Sequence, residues 1–219
     1  MKRTPEPELM NDPAQAAAYA RADFAEPHER FVSLFGERFP GLAIAGEVLD
    51  LGCGPADIAI RFARAHPRCR ILGVDGAAAM LAEGDRLIGA TGMIERIRLH
   101  AARLPVEELP GAPFDAVISN SLLHHLHEPQ VLWSAVRRFA RPGAPVFVMD
   151  LRRPSSPEAV EDLVKEYAAG EPAVLQRDFR HSLHAAFTPE EVEEQLRKAG
   201  LGFAVEAIGD RHLIVYGRV

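Results

Sequence analysis

The stretch that decides the fold is Val48–Asp57, VLDLGCGPAD: an apolar run that ends at an acid and breaks into two closely spaced glycines. Glu47–Leu51 reads as a short buried strand. Gly52 and Gly54 let the chain turn tightly and bring bare backbone up to a ligand. Pro55 stands where a helix can begin without missing its N–H. Ala56–Ala65 then puts Ile58, Phe62 and Ala65 on one helical face, and His66-Pro67 ends that helix.

Working outward, the same alternation repeats. Cys69–Val74 reads as a second strand ending at Asp75, and Ala77–Leu87 as a helix with Met80, Leu81 and Leu87 inward. Arg96–His100, Phe114–Ser119 and Pro145–Leu151 read as further strands, with a helix over Pro129–Ala140. Strands alternating with helices predict a doubly wound, mostly parallel sheet with helices on both faces. Thr188-Pro189-Glu190-Glu191 carries the signature of a capped helix start, and Gly200 its stop. Gly202–Ile208 and His212–Gly217 read as a final strand pair turned through Gly209-Asp210. Residues 1–46 look like one or two helices. Residues 152–187 form a polar insertion with a helix over Pro157–Ala169. One domain over 1–219 is expected: a helical cap (1–46), a binding core (47–151), an inserted lid (152–187), and the last helix with its strand pair (188–219).

In such sheets ligands bind beyond the carboxyl ends of the strands. Asp75 lies 23 residues after Gly52, the place from which a carboxylate grips the two hydroxyls of a ribose. A dinucleotide loop would have a third glycine where Asp57 stands, so a pyrophosphate is disfavoured. Asp50 adds a second acid to the loop. Acids here suit a cationic ligand, such as one with a sulfonium and an ammonium group.

VLDLGCGPAD resembles motif I of the class I S-adenosylmethionine-dependent methyltransferases, and ILGVDGAAAML (71–81) resembles their second motif. FDAVISNSLLHHLHEP (114–129) resembles their fourth strand and following helix, and RPGAPVFVMDL (141–151) the segment leading into their fifth strand. The resemblance runs in order over roughly residues 48–151 and implies a Rossmann-like, seven-stranded fold with a final antiparallel strand pair. It also implies S-adenosyl-L-methionine as cofactor, S-adenosyl-L-homocysteine as product, and a small-molecule acceptor. Carried over by position, Asp50, Gly52, Cys53 and Gly54 would line the methionine part of the cofactor, with Asp50 helping to hold the ammonium. Asp75 would hold the ribose, while Gly76 and Met80 would lie against the adenine. Family members often carry an Asp where His100 stands, so His100 or the Ala101 backbone would replace one adenine contact. Asn120 and Ser121 would face the transferred methyl.

Several residues admit two readings. His124, His125, His127 and Glu128 reach the ligand count of a metal site, but the expectation is no metal and a structural role at a helix start. His125 is the choice for a base or substrate contact. Tyr19 is the candidate in the cap, near Asp23 and His28, against ordinary packing. Cys53 is read as a small residue that fits its turn and not as a nucleophile. Arg152-Arg153 would clamp an anionic substrate or form a solvated pair. Gln176–His184 (QRDFRHSLH) is a basic pocket wall or a solvated loop. The candidate catalytic set is therefore His125, Tyr19 and Asn120.

The 219 residues are 47% hydrophobic and carry 25 Lys+Arg against 31 Asp+Glu, a net charge of −6. That argues against nucleic acid as a partner, which needs a basic face. Two cysteines, Cys53 and Cys69, build no disulfide framework or metal motif. With no apolar run near membrane-spanning length, a cytoplasmic protein is expected. Asn120-Ser121-Leu122-Leu123 is not the Asn-Pro-Pro-Tyr-type motif of the exocyclic base N-methyltransferases. An RNA or protein methyltransferase, or a non-catalytic cofactor-binding subunit, is the alternative to small-molecule methyl transfer.

Overall fold

The computed structural model describes residues 1–7, 9–22 and 24–219. Strands β1 (Ala45–Leu51), β2 (Arg68–Asp75), β3 (Ile97–Ala101), β4 (Ala116–Asn120) and β5 (Pro145–Leu151) run parallel. The chain ends with β6 (Ala204–Ile208) and β7 (His212–Arg218), which pair antiparallel to each other, and β7 pairs antiparallel to β5. The seven-stranded order is β3-β2-β1-β4-β5-β7-β6. Chain order reverses between β1 and β4, and that is where a crevice forms at the strands' carboxyl ends.

Alternate residues of each strand face opposite layers. Val48, Ile71, Ile118, Phe147 and Ile214 pack against α2 (Ala25–Arg38) and α3 (Asp57–Ala65). There Phe31 and Phe35 meet the Phe147 ring edge-on at 4.9 and 5.8 Å. Leu49, Val117, Val146, Val148 and Val215 pack against α5 (Gln130–Phe139) and α8 (Pro189–Ala199). Buried Trp133 donates its indole N–H to Gln195 Oε1 at 3.0 Å, so its polar atom is satisfied. All seven residues of β5 are buried, as expected for a strand covered on both faces.

Four expectations are corrected. Helix α3 begins two residues past Pro55, because Ala56 takes a left-handed conformation at φ +66°. His124, His125, His127 and Glu128, placed at a helix start, precede the helix: Leu123–His125 is a single 3-10 turn, and α5 begins at Gln130. Pro129 disfavours a helical Glu128. The stretch Gln176–His184 is no loop but most of α7 (Ala173–Ala185), packed on α6 (Pro157–Ala168). Arg152 and Arg153 are structural: Arg152 donates to the carbonyls of Gly209 and Asp210, and buried Arg153 to Ala186 O and Glu191 Oε1. The α8 start is as expected, a capping box between Thr188 and Glu191. Among the described residues no helix is long and apolar enough to cross a membrane.

The cap is two helices, α1 (Pro13–Arg21) and α2, preceded by an extended strap. Arg3 pins that strap, donating to the carbonyls of Ala185, His124 and Leu126 while stacking 4.0 Å over the Phe187 ring. Thr4 N–H adds a bond to His184 O. Asp57 fastens α2 to α3, bonding His28 Nδ1 at 2.5 Å and Arg61 Nε at 2.7 Å. Burial works to raise the Asp57 pKa, but these hydrogen bonds outweigh it and the net shift is downward. A carboxylate depressed in this way contributes stability above its unfolded pKa, and that contribution is lost as pH falls through its folded value. Asp57→Asn is expected to lower Tm by about 3–6 °C at neutral pH, from a loss of roughly 1–2 kcal/mol. Thermal melts across pH should show the gap closing in acid; a gap independent of pH counts against the ion pair as its source.

Candidate active site

A cavity of about 940 Å³ lies at the carboxyl ends of β1, β2, β4 and β5, covered by the strap, α1, α6 and α7. Its first half is built by the glycine loop. Gly52 N–H and Cys53 N–H both donate to Val74 O, folding the loop back onto β2. Gly52 has φ +71°, and a Cβ there would come within 2.7–2.9 Å of Leu122, so only glycine fits. Gly54, at φ +49°, donates its N–H to Asp75 Oδ2 at 2.9 Å, while Ala77 N–H donates to Oδ1 at 2.8 Å. Asp75 thus ties the loop to the start of α4 (Ala78–Thr91) and still faces the cavity. Burial raises its pKa, and the backbone N–H groups of Ala77, Gly54 and Gly76 oppose that rise.

Asp50 is 1% exposed, and its Oδ2 is buried without a hydrogen-bond partner. Burial first, and then the nearby Asp75 charge, push its carboxyl far above the usual range. A buried acid without a protein partner at a cavity wall fits a ligand that brings a cation. An S-adenosylmethionine ammonium is such a group, so the residues present fit this cofactor. Asp57 does not join them. It lines the cavity, but its carboxylate is committed to His28 and Arg61, which corrects its expected part in attracting a cation. Cys53 is buried, and burial raises its thiol well above the usual range, as suits a packing residue rather than a nucleophile.

Gly76 and Met80 line the same half, with Leu9 and Met10 of the strap. His100 and Ala101 stand in β3 outside the lining, and Ala102, Arg103 and Leu104 take the wall expected of them. The chain turns over the cavity only after Ala102 N–H bonds Asp75 O.

The second half lies over β4 and β5. Asn120 and Ser121 line it, Asn120 Nδ2 donating to Ser121 Oγ at 3.3 Å and Ser121 holding a left-handed turn at φ +56°. Tyr19 faces the cavity, its ring 4.7 Å from that of Phe24. Burial, with the charges of Asp57, Asp150 and Asp75, pushes its hydroxyl up to about 12, so it is a hydrogen-bond donor near neutral pH. Asp23, its expected neighbour, lies outside the described residues.

His124 is 2% exposed, and its Nδ1 donates to Asp150 Oδ1 at 2.6 Å. Asp150 also accepts the Leu123 and Leu151 N–H groups. Burial opposes protonation of His124, but the charge and hydrogen bond of Asp150 outweigh it and raise its pKa. His125, stacked at 4.2 Å on His124, goes the other way: burial and the His124 charge push it well below the ordinary value. His127 is turned outward, its Nε2 bonding the Glu6 carbonyl. Glu6 itself reaches in, its Oε1 standing 3.5 Å from His124 Nε2 and 3.2 Å from His125 Nδ1.

Two of these residues escaped the sequence. Asp150 could have been found, since it ends a strand as Asp50 and Asp75 do. Glu6 carries no local signal; only the course of the strap brings it there.

A family model described as a methyltransferase domain matches residues 48–143. An uncharacterized methyltransferase of Mycobacterium bovis is 30% identical over 172 residues, 78% of this chain and 83% of that relative. A ubiquinone/menaquinone biosynthesis C-methyltransferase of Syntrophotalea carbinolica is 32% identical over 117 residues, 53% of this chain and 48% of the relative. Among solved structures, a SAM-dependent methyltransferase from Aquifex aeolicus superposes with a TM-score of 0.68 at 18% identity, over 94% of this chain and 97% of that one.

The acid without a partner makes a test. A carboxyl whose folded pKa is raised is most compatible with the fold below its unfolded pKa, and its contribution is lost as pH rises through the folded value. Asp50→Asn is therefore expected to raise the Tm of the ligand-free protein at neutral pH and to flatten its pH dependence. It should also reduce the stabilisation given by S-adenosylhomocysteine. Thermal melts with and without that ligand measure both; an unchanged ligand response would remove Asp50 from the binding site.

Proposed function

This chain belongs to the class I S-adenosylmethionine-dependent methyltransferases, and from that premise we propose that it methylates an O, N, S or C nucleophile of a small, largely apolar metabolite. The observation that carries the reading is the divided cavity. A volume of about 940 Å³ is at the upper end for small-ligand sites and accommodates cofactor and acceptor together. Tyr167, Leu175 and Phe179 of the insertion, with Met149 and Leu151 of β5, give the acceptor half apolar walls. The relative named for ubiquinone/menaquinone biosynthesis supports a small-molecule acceptor. Arg152 and Arg153, expected as an anion clamp, are spent on the fold, and Arg177 and Arg211 at the cavity each pair with an acid.

The bound cofactor supplies an electrophilic methyl on a sulfonium, whose C–S bonding pair passes to sulfur as the acceptor's lone pair takes the carbon. The chain's part is to align and enclose. In this reading Asp75 holds the ribose and Asp50 the ammonium. Asn120 and Ser121 border the path of the methyl, and Tyr19 donates a hydrogen bond from the roof. The polar end formed by Glu6, His124 and His125 receives the acceptor's reacting atom. His125 alone is a poor base at neutral pH, because burial disfavours its protonated form.

Incubation of the protein with labelled S-adenosylmethionine and a metabolite extract should place label in the low-molecular-mass fraction. Label confined to RNA or protein would sink this reading. Asp75→Ala should weaken S-adenosylhomocysteine binding by at least about tenfold in calorimetry, the loss of roughly one charge-assisted hydrogen bond.

A further inference from the structure

We propose that Glu6, His124 and His125 bind a divalent transition-metal ion of the zinc type, with coordination positions left open to the methyl acceptor. The inference rests on the acceptor half proposed above and says how its polar end works.

Asp150 as a carboxylate can only accept, so His124 keeps a proton on Nδ1, and Nε2 is the nitrogen that a metal ion would take, displacing any proton there. His125 Nδ1 is buried with no hydrogen-bond partner, and the tautomer protonated on Nε2 offers a lone pair there. Glu6 Oε1 faces both, at 3.5 Å from His124 Nε2 and 3.2 Å from His125 Nδ1. The three acceptor atoms lie within 4.8 Å of one another. Two ring nitrogens and a carboxylate oxygen that converge in a buried place suit a cation shared among them. The 3.5 Å from His124 Nε2 to Glu6 Oε1 is long for a hydrogen bond, whereas one ion between the three atoms would reach all of them.

The spacing suits one ion. Donors held at about 2.1 Å are separated by roughly 3.0 Å in an octahedral site and roughly 3.4 Å in a tetrahedral one. Two histidines and a carboxylate are a donor set for zinc or for iron(II), each with positions left for water or substrate. Asp150 supplies what a metal-binding histidine normally has, a carboxylate on its other ring nitrogen. Glu6 is held from outside as well: the same Oε1 accepts from Ser182 Oγ at 3.0 Å on a second lone pair, and its carbonyl accepts from His127. The ligand set is thus not the His124–Glu128 run of the sequence, since His127 and Glu128 are exposed, and the third donor comes from 118 residues upstream. A Lewis acid here would lower the pKa of an acceptor hydroxyl or thiol beside the methyl path.

Tag-free full-length protein, stripped with chelator, is titrated with zinc by calorimetry and with cobalt(II) by visible absorption, and S-adenosylhomocysteine binding is measured on the same samples. Expected are one zinc per chain and visible cobalt bands. Zinc affinity should fall at least tenfold in Glu6→Gln and in His125→Ala, and about 10–100-fold in Asp150→Asn. Glu6→Gln, on the strap, keeps its length and hydrogen bonding, and retained S-adenosylhomocysteine binding certifies its fold. Absence of stoichiometric zinc, or zinc affinity unchanged in Glu6→Gln and His125→Ala, overturns the proposal and leaves a shared proton in the cluster. Because no acceptor enters the titration, loss of metal binding with intact S-adenosylhomocysteine binding fails this inference alone, whereas absent S-adenosylhomocysteine binding fails the methyl-transfer reading.

Discussion

The site depends on one carboxylate. Asp75 ends β2 and accepts the N–H of Gly54 on one oxygen and of Ala77 on the other. The first bond closes the glycine loop after β1, and the second sets the entry of α4. A parallel sheet offers its loops at one edge with little to brace them, since neighbouring strands are joined through helices and not by hairpins. Asp75 is that brace. Asp75 also lines the cavity, so the group that shapes the loop stands at the site itself.

The three acids near the loop show how burial and partnership divide labour among identical side chains. Asp75 is answered by backbone N–H groups and is costly but stable. Asp57 is answered by His28 and Arg61 and has become a fastening between two helices. Asp50 has an oxygen answered by nothing in the protein, so the fold carries its desolvation cost until a cation arrives. A sum of negative charges at the loop would have treated all three as equivalent.

What was legible in the sequence was local. The Thr188–Glu191 capping box, the Gly52 turn and the Asp75 strand end each rest on residues within a few positions of one another, and their chemistry leaves a pattern in the chain. Asp57 was misread because its partner His28 is 29 residues away. The Arg152-Arg153 pair was misread because the carbonyls it serves lie on α7 and the β6–β7 turn. The QRDFRHSLH stretch reads as a pocket wall or a solvated loop; packing on α6 makes it a helix, and Arg177, Phe179 and His181 line the cavity, so the wall is the reading that holds. Glu6 lies beyond such reading altogether, since nothing local distinguishes it from the other acids of the amino-terminal segment.

The boundary between legible and illegible follows the division of the cavity. The cofactor half is built from loops that leave adjacent strands, so its residues recur at short, regular spacing. The acceptor half is closed by the strap and α7, which meet through Thr4 N–H on His184 O and Glu6 on Ser182, 180 and 176 residues apart. Contacts of such range are set by tertiary packing and leave no periodicity. The same arrangement makes Arg3 more than a surface residue. Its bonds to His124 O, Leu126 O and Ala185 O hold the strap across both closing elements, and so fix where Glu6 meets the two histidines.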